Sequence, residues 1–170
     1  MLPIILDGSK LRAGLAGAGQ GFARRLGVMK AGGVGEPVVF SGRIPEPDEL
    51  AELQILFIAG LDMPTSRTLA TAAREAGVLV NVEDVPELCD FHMPAQIRRG
   101  DLLLAVSTAG RSPALSRVLR EHLEVRFGPE WDGRLEEIAD LRQTWRAAGA
   151  APDEVSTRTR ALLAERGWLA

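Results

Sequence analysis

The chain has 170 residues, 46% of them hydrophobic and 25% charged, with a formal net charge of −3. That length fills one substantial core, or one domain with a small appendage, and the slightly acidic balance leaves no electrostatic footprint for a nucleic-acid partner. A single cysteine excludes an internal disulfide, and the sequence has neither a signal-peptide start nor an apolar run of the roughly 20 residues that span a bilayer, so the expectation is a soluble cytoplasmic protein with no membrane partner.

In chain order, short apolar runs alternate with helical patterns, which predicts α/β architecture with a parallel sheet. Residues 11–16 form a first strand, interrupted by Gly14. "GAGQG" follows, then a helix over residues 22–31 closed by Gly32-Gly33. Val38-Val39-Phe40 is a second strand, and "PEPDELAEL" opens with the prolines and acids that favour helix N-termini. Residues 55–59 are the clearest buried strand, and "DMPTSRTLATAAREAG" is a helix with a terminal glycine. Residues 78–82 are another strand. "RRGDLLLAVSTAG" reads as a turn, a strand and a glycine-containing loop. "SPALSRVLREHLEVRFG" is a strong helix, with Ser112 to cap it and Pro113 in its first turn. Beyond Gly128 the pattern is helical only, over residues 131–148 and 152–166. The composition shifts near residues 125–130, so a sheet-bearing part is followed by a helical tail.

Two stretches carry chemistry. "GAGQGFARR" stands between a strand and a helix. Gly17 allows a tight turn, Gly19 lets backbone amides approach a pyrophosphate, and the helix N-terminus favours the anion. The usual dinucleotide fingerprint has a small residue where Phe22 stands, and Gly21 lies one step early. The acid normally found at the end of the second strand is also missing: Phe40-Ser41-Gly42-Arg43 occupies that place. A serine there suits a ribose hydroxyl. Two roles are open for Arg43, a partner for a 2′-phosphate or an ordinary surface charge.

The second stretch is "NVEDVPELCDFHMPA", residues 81–95, where three acids before Cys89 are followed by Asp90 and His92. Glu83 and Glu87 read as solvated. Asp90 reads as a partner for loop amides or a cap. Cys89 reads as a small buried filler. His92 is open between a ligand-facing and a surface role, and His122 reads as surface or interface. No second Cys/His pair supports a structural zinc site, so no bound metal is expected.

Taken together the motifs resemble the precorrin-2 dehydrogenase family, which includes stand-alone enzymes, the front module of siroheme synthase and the fungal dehydrogenase–chelatase. The resemblance is carried in order by "GAGQGFARR", "LFIAGLD", "NVEDVPELCDFHMPAQIRRGDL" and "LAVSTAGRSPALSRVLREHLE". It implies a Rossmann-like NAD-binding domain over residues 1–93, a dimerisation and active-site segment over 94–128 and a helical domain over 129–170. The implied reaction removes two hydrogens from precorrin-2, passes a hydride to NAD⁺ and yields sirohydrochlorin. Some members of the family also insert ferrous iron as a second substrate, and family members are homodimers. The resemblance makes Asp84 the catalytic base, since the oxidation releases a proton as well as a hydride. It assigns Gly17, Gly19, Gln20, Gly21, Phe40, Ser41 and Gly60 to the cofactor. It assigns Asn81, Ser107, Thr108, Gly110 and Arg111 to the tetrapyrrole substrate, with Arg111 pairing with its carboxylates.

The sequence departs from the family pattern at Gly14, at Phe22, at Arg25 in place of a lysine and at Leu61 in place of a threonine, all in the dinucleotide half. Two other readings stand beside the dehydrogenase: a chelatase or tetrapyrrole carrier without NAD⁺ activity, and a nucleotide-sensing module with no chemistry.

Overall fold

The computed structural model describes residues 1–169, which fall into two compact units, Met1–Met93 and the part from Pro94 onward. In the first unit β1 (Ala13–Gly17), β2 (Val38–Ser41), β3 (Ile55–Ala59) and β4 (Leu79–Val82) form a parallel sheet in the order β2-β1-β3-β4. The connections are α1 (Gly19–Ala31), α2 (Pro47–Ala51) and α3 (Met63–Glu75). This is the Rossmann-like α/β fold that the sequence predicts.

Strand side chains alternate between two apolar layers, as a period of two requires. On one face Ala16, Phe40, Leu56, Ile58 and Val80 pack with Leu50, Leu53, Leu69 and Ala73 from α2, α3 and the link after α2. On the other face Leu15, Ile55 and Phe57 pack with Met29 and Val34, and with the partly buried Phe22 and Leu26 of α1. Leu15, Phe40, Leu56, Ile58 and Val80 are at most 1% exposed. Each such burial contributes about 1.5–3 kcal/mol. Gly14, which weakens β1 by propensity, fits a packing need: a Cβ there would strike the Leu53 side chain. α3 begins as its sequence suggests, with the Asp62 carboxylate accepting from the Thr65 amide at 2.8 Å and proline in the first turn.

α1 starts at Gly19, three residues before the predicted helix. The glycine turn is thus the first turn of the helix, where amides have no intrahelical acceptor and small residues cost little. Its N-cap, Ala18, offers no side-chain hydrogen bond.

In the second unit β5 (Ala95–Arg99) and β6 (Leu102–Val106) form a separate antiparallel hairpin, with Arg99 opposite Leu102. "DLLLAV" therefore does not extend the parallel sheet. The strand missed in the sequence is "AQIRR", whose two arginines mask its β character. Its signal was the two-residue Gly100-Asp101 turn, with Gly100 at φ 54°. α4 (Pro113–Arg126), α5 (Trp131–Ala147) and α6 (Pro152–Glu165) follow. Trp131 is buried beside Phe127, with ring centroids 5.1 Å apart, and Arg134 lies over both Trp131 and Trp168. Arg99 ties the hairpin to the end of α4 by donating to the Phe127 carbonyl at 2.9 Å. α4 has no buried residue, and Leu115, Val118 and Leu119 on it are 48%, 59% and 39% exposed. No helix among the described residues is long and apolar enough to cross a membrane.

Candidate active site

The carboxyl ends of the parallel strands bring the sequence motifs of the first unit to one edge. Gly17 is opposite Ser41 on one side and Ala59 on the other. The Ala18 amide donates to the Ala59 carbonyl at 3.1 Å, the Gly42 amide to Gly17 at 3.3 Å, and the Glu83 amide to Ile58 at 2.9 Å. The chain leaves β1 for β2 on one side and returns to β3 on the other, which makes this edge the topological switch point where open α/β sheets bind ligands.

Two glycines make the edge possible. A side chain on Gly17 would run into the Ala59 carbonyl oxygen, and one on Gly60 into the Ala18 carbonyl oxygen. Both have positive φ, 136° and 71°. The loops after β1 and β3 thus approach backbone to backbone. Nothing lies within 4 Å of the place a Cβ on Gly19 would take, so the face of the turn is open to a ligand. An open, side-chain-free turn at an uncapped helix start fits the pyrophosphate of a dinucleotide. Phe22, which breaks the fingerprint, packs into the apolar layer under α1.

Asp84 follows the end of β4 with φ 58°, a left-handed conformation that aspartate tolerates better than most residues. It is exposed, and the loop that carries it is fastened at three points. The Asp90 carboxylate accepts from the Val80 amide at 2.9 Å and from Arg74 Nε at 2.9 Å. Asn81 Nδ2 donates to the Phe91 carbonyl at 2.9 Å. Cys89 Sγ accepts from the Val82 amide at 3.2 Å. Burial pushes the Cys89 thiol up, which keeps it in the neutral form. Asp90 and Cys89 thus take the structural roles read from the sequence, and Glu87, His92 and His122 are exposed. Among the described residues no group of three or more His, Cys, Asp and Glu side chains could hold a metal ion.

Three expectations need correction, and a fourth residue, Arg43, is found engaged. Glu83 is not solvated: its side chain is 12% exposed, it pairs with Arg24 at 2.5 Å, and its carboxylate stands against Gly21. Phe40 is fully buried in the core, so it offers no surface to a cofactor. Asn81 is 6% exposed and anchors the loop from below, with Oδ1 lacking a protein partner, so its side chain supports Asp84 and does not face a macrocycle. Arg43, left open between a 2′-phosphate partner and a surface charge, is exposed and already paired. It donates to both carboxylate oxygens of Glu49 at 2.7 Å and lies over the Phe40 ring. Sequence reasoning missed Glu83 because its partners, Gly21 and Arg24, lie some sixty positions upstream.

The residues predicted to hold substrate carboxylates, Ser107, Thr108, Gly110 and Arg111, sit together in the second unit between β6 and α4. Ser107 Oγ accepts from the Ala109 amide at 3.2 Å, and Ala109 and Gly110 both have positive φ, 56° and 77°. Thr108 Oγ1 contacts the Ser112 carbonyl and Ser116 Oγ, each at 3.0 Å, and accepts from the Ser112 amide at 3.2 Å, so its hydroxyl closes the loop internally. Ser112 caps α4 through the Leu115 amide, as the sequence predicts. Arg111 is exposed and is the group of this loop with charge to offer.

Comparison with known proteins agrees with the resemblance read from the motifs. Residues 7–95 match the NAD(P)-binding family, and residues 99–126 match the family described as sirohaem biosynthesis protein central. The siroheme synthase of Methylococcus capsulatus is 33% identical over 169 residues, covering 89% of this chain and 36% of that protein. The siroheme synthase of Nitrosomonas europaea is 43% identical over 93 residues, covering 55% of this chain and 19% of that protein. The chain therefore spans about a third or less of the curated relatives it matches. Among solved structures, one titled SirC, precorrin-2 dehydrogenase, superposes over 100% of this chain and 93% of that chain with a TM-score of 0.75 at 18% identity, a likeness of fold. With the glycine turn, the sheet order and the stretch matched over residues 7–95 in agreement, the chain belongs to the NAD(P)-binding family.

Proposed function

We propose that the chain oxidises precorrin-2 to sirohydrochlorin with NAD⁺, a step of siroheme biosynthesis, in the cytoplasm. The observation that carries the reading is the meeting of the Asp84 loop with the glycine turn: Glu83, next to Asp84, stands against Gly21 and pairs with Arg24. One edge therefore unites a turn open at Gly19, suited to a dinucleotide pyrophosphate, and an exposed carboxylate, suited to the proton released in dehydrogenation.

Bound NAD⁺ supplies the two-electron acceptor. The amides of Gly19, Gln20 and Gly21 hold its pyrophosphate, Ser41 meets a ribose, and Gly17 and Gly60 keep the passage between the loops narrow and free of side chains. Asp84 accepts the proton that leaves the macrocycle. Its loop is fastened through Asp90, Asn81 and Cys89, so the carboxylate is presented without a large ordering cost at the moment of reaction. Arg111, with Ser107 and the turn at Gly110, meets carboxylate arms of the tetrapyrrole. In this reading residues 1–93 are the cofactor domain, residues 94–128 pair two copies through α4, and residues 129–170 are a helical domain.

The test is conversion of precorrin-2, followed by the absorbance of sirohydrochlorin with and without NAD⁺. Formation only with NAD⁺ supports the reading. NAD⁺-independent binding of sirohydrochlorin with no conversion would turn it into a carrier.

A further inference from the structure

We propose that Arg43 and Glu49 form a selectivity gate at the adenosine ribose, accepting a dinucleotide with a free 2′-hydroxyl, NAD⁺, and rejecting one with a 2′-phosphate. The proposal rests on the dinucleotide reading above and deepens it. β2 ends at Ser41 opposite Gly17, and the Gly42 amide bonds to the Gly17 carbonyl. Residues 41–43 therefore lie beside the phosphate turn, where a dinucleotide fold places the group that reads the ribose 2′ position.

No acid stands there. Ser41 is exposed, and the charged group is Arg43. An arginine at this place ordinarily takes a 2′-phosphate. This one is already engaged, with both terminal nitrogens on the two oxygens of Glu49 at 2.7 Å and the guanidinium 4.9 Å from the Phe40 ring centroid. Glu49 is held in turn. Its carboxylate accepts from the Glu46 amide at 2.9 Å, one half of the capping box that starts α2, and prolines at positions 45 and 47 stiffen the segment. Arg43 and the Glu46 amide hold the Glu49 carboxyl at about 2, so it is charged at neutral pH.

A 2′-phosphate carries about two negative charges. Reaching Arg43, it meets an ionised carboxylate that occupies the same fork and cannot leave without uncapping α2. That repulsion is the discriminating element, and a 2′-hydroxyl does not encounter it.

The experiment is calorimetric titration of the full chain with NAD⁺, NADP⁺ and adenosine 2′,5′-bisphosphate, a readout independent of turnover. The forms compared are the native protein, Glu49→Gln, and Glu49→Gln combined with Arg43→Ala. Glutamine keeps an oxygen for the Glu46 amide, and circular dichroism confirms that each form is folded. The native chain should bind NAD⁺ at least about tenfold tighter than NADP⁺, the scale of one charge-assisted contact. Glu49→Gln should narrow that ratio about tenfold by tightening NADP⁺ and the bisphosphate, and the added Arg43→Ala should remove the gain. Native NADP⁺ binding as tight as NAD⁺, or an unchanged ratio in Glu49→Gln while NAD⁺ still binds, overturns the proposal alone. A folded native chain that binds neither dinucleotide overturns the dinucleotide reading and the proposal with it.

Discussion

The carboxylate of Glu83 stands where a side chain on Gly21 would begin, so the glycine leaves room for the acid. Glu83 belongs to the loop after β4 and Gly21 to the first turn of α1. Their contact joins the acidic loop to the glycine turn, and the pair with Arg24 holds it.

That dependence is measurable. Gly21→Ala should destabilise the native chain by about 1 kcal/mol, because the new methyl displaces a largely buried carboxylate from its exposed arginine partner. In a Glu83→Ala background the same change should be neutral or stabilising, since alanine favours a helix over glycine by about 1 kcal/mol. A double-mutant cycle by urea denaturation checks this. Equal and additive effects in the two backgrounds would mean that Gly21 and Glu83 do not constrain one another.

Asp84 is best tested by asparagine. The backbone at φ 58° suits Asn and strains Ala, so Asp84→Asn removes the base while keeping the turn. Turnover should fall by about 10²-fold or more, with NAD⁺ affinity and melting temperature near native values. Near-normal turnover in a folded Asp84→Asn protein would remove Asp84 from the mechanism.

Sequence and structure agree most where the signal is local. The strand Ile55–Ala59, the Ser112 cap and the alternation of strands with helices follow from apolar runs, prolines and capping residues within a few positions, while the Rossmann-like order came with the family resemblance. The hairpin partner Ala95–Arg99 was missed because its strand character lies in pairing with Leu102–Val106 and not in its own alternation, which left the Gly100-Asp101 turn as its local signal. The site divides in the same way. Gly17, Gly19 and Gly60 were readable because backbone demands dictate residue type. Glu83, Asn81 and Phe40 were misread because burial depends on what the fold brings over them.

The Arg43–Glu49 pair gives a pH signature. Glu49 has a folded value of about 2, below its ordinary 4.5. A lowered carboxyl pKa contributes stability that is fully present above the unfolded value and is lost as pH falls through the folded one. The melting-temperature advantage of native protein over Glu49→Gln should thus be constant at neutral pH and shrink between about pH 5 and pH 2. An advantage that does not change over that window would show that the pair adds nothing to the folded state.

The apolar surface of α4 predicts assembly. Leu115, Val118 and Leu119 are all exposed, an unusual cost for one helix face, and covering each contributes up to about 1.5–3 kcal/mol. Light scattering should report a homodimer at micromolar concentration, and Leu119→Glu should yield monomers or aggregates without activity. An active native monomer would contradict pairing through α4.

The most direct measurement of the central claim is a coupled assay of the purified chain with precorrin-2 and NAD⁺, quantifying NADH and sirohydrochlorin in the same sample. The account predicts equal amounts of the two products, formed by the native chain and largely lost in Asp84→Asn. Sirohydrochlorin formed without NADH, or no reaction although both ligands bind, would contradict it.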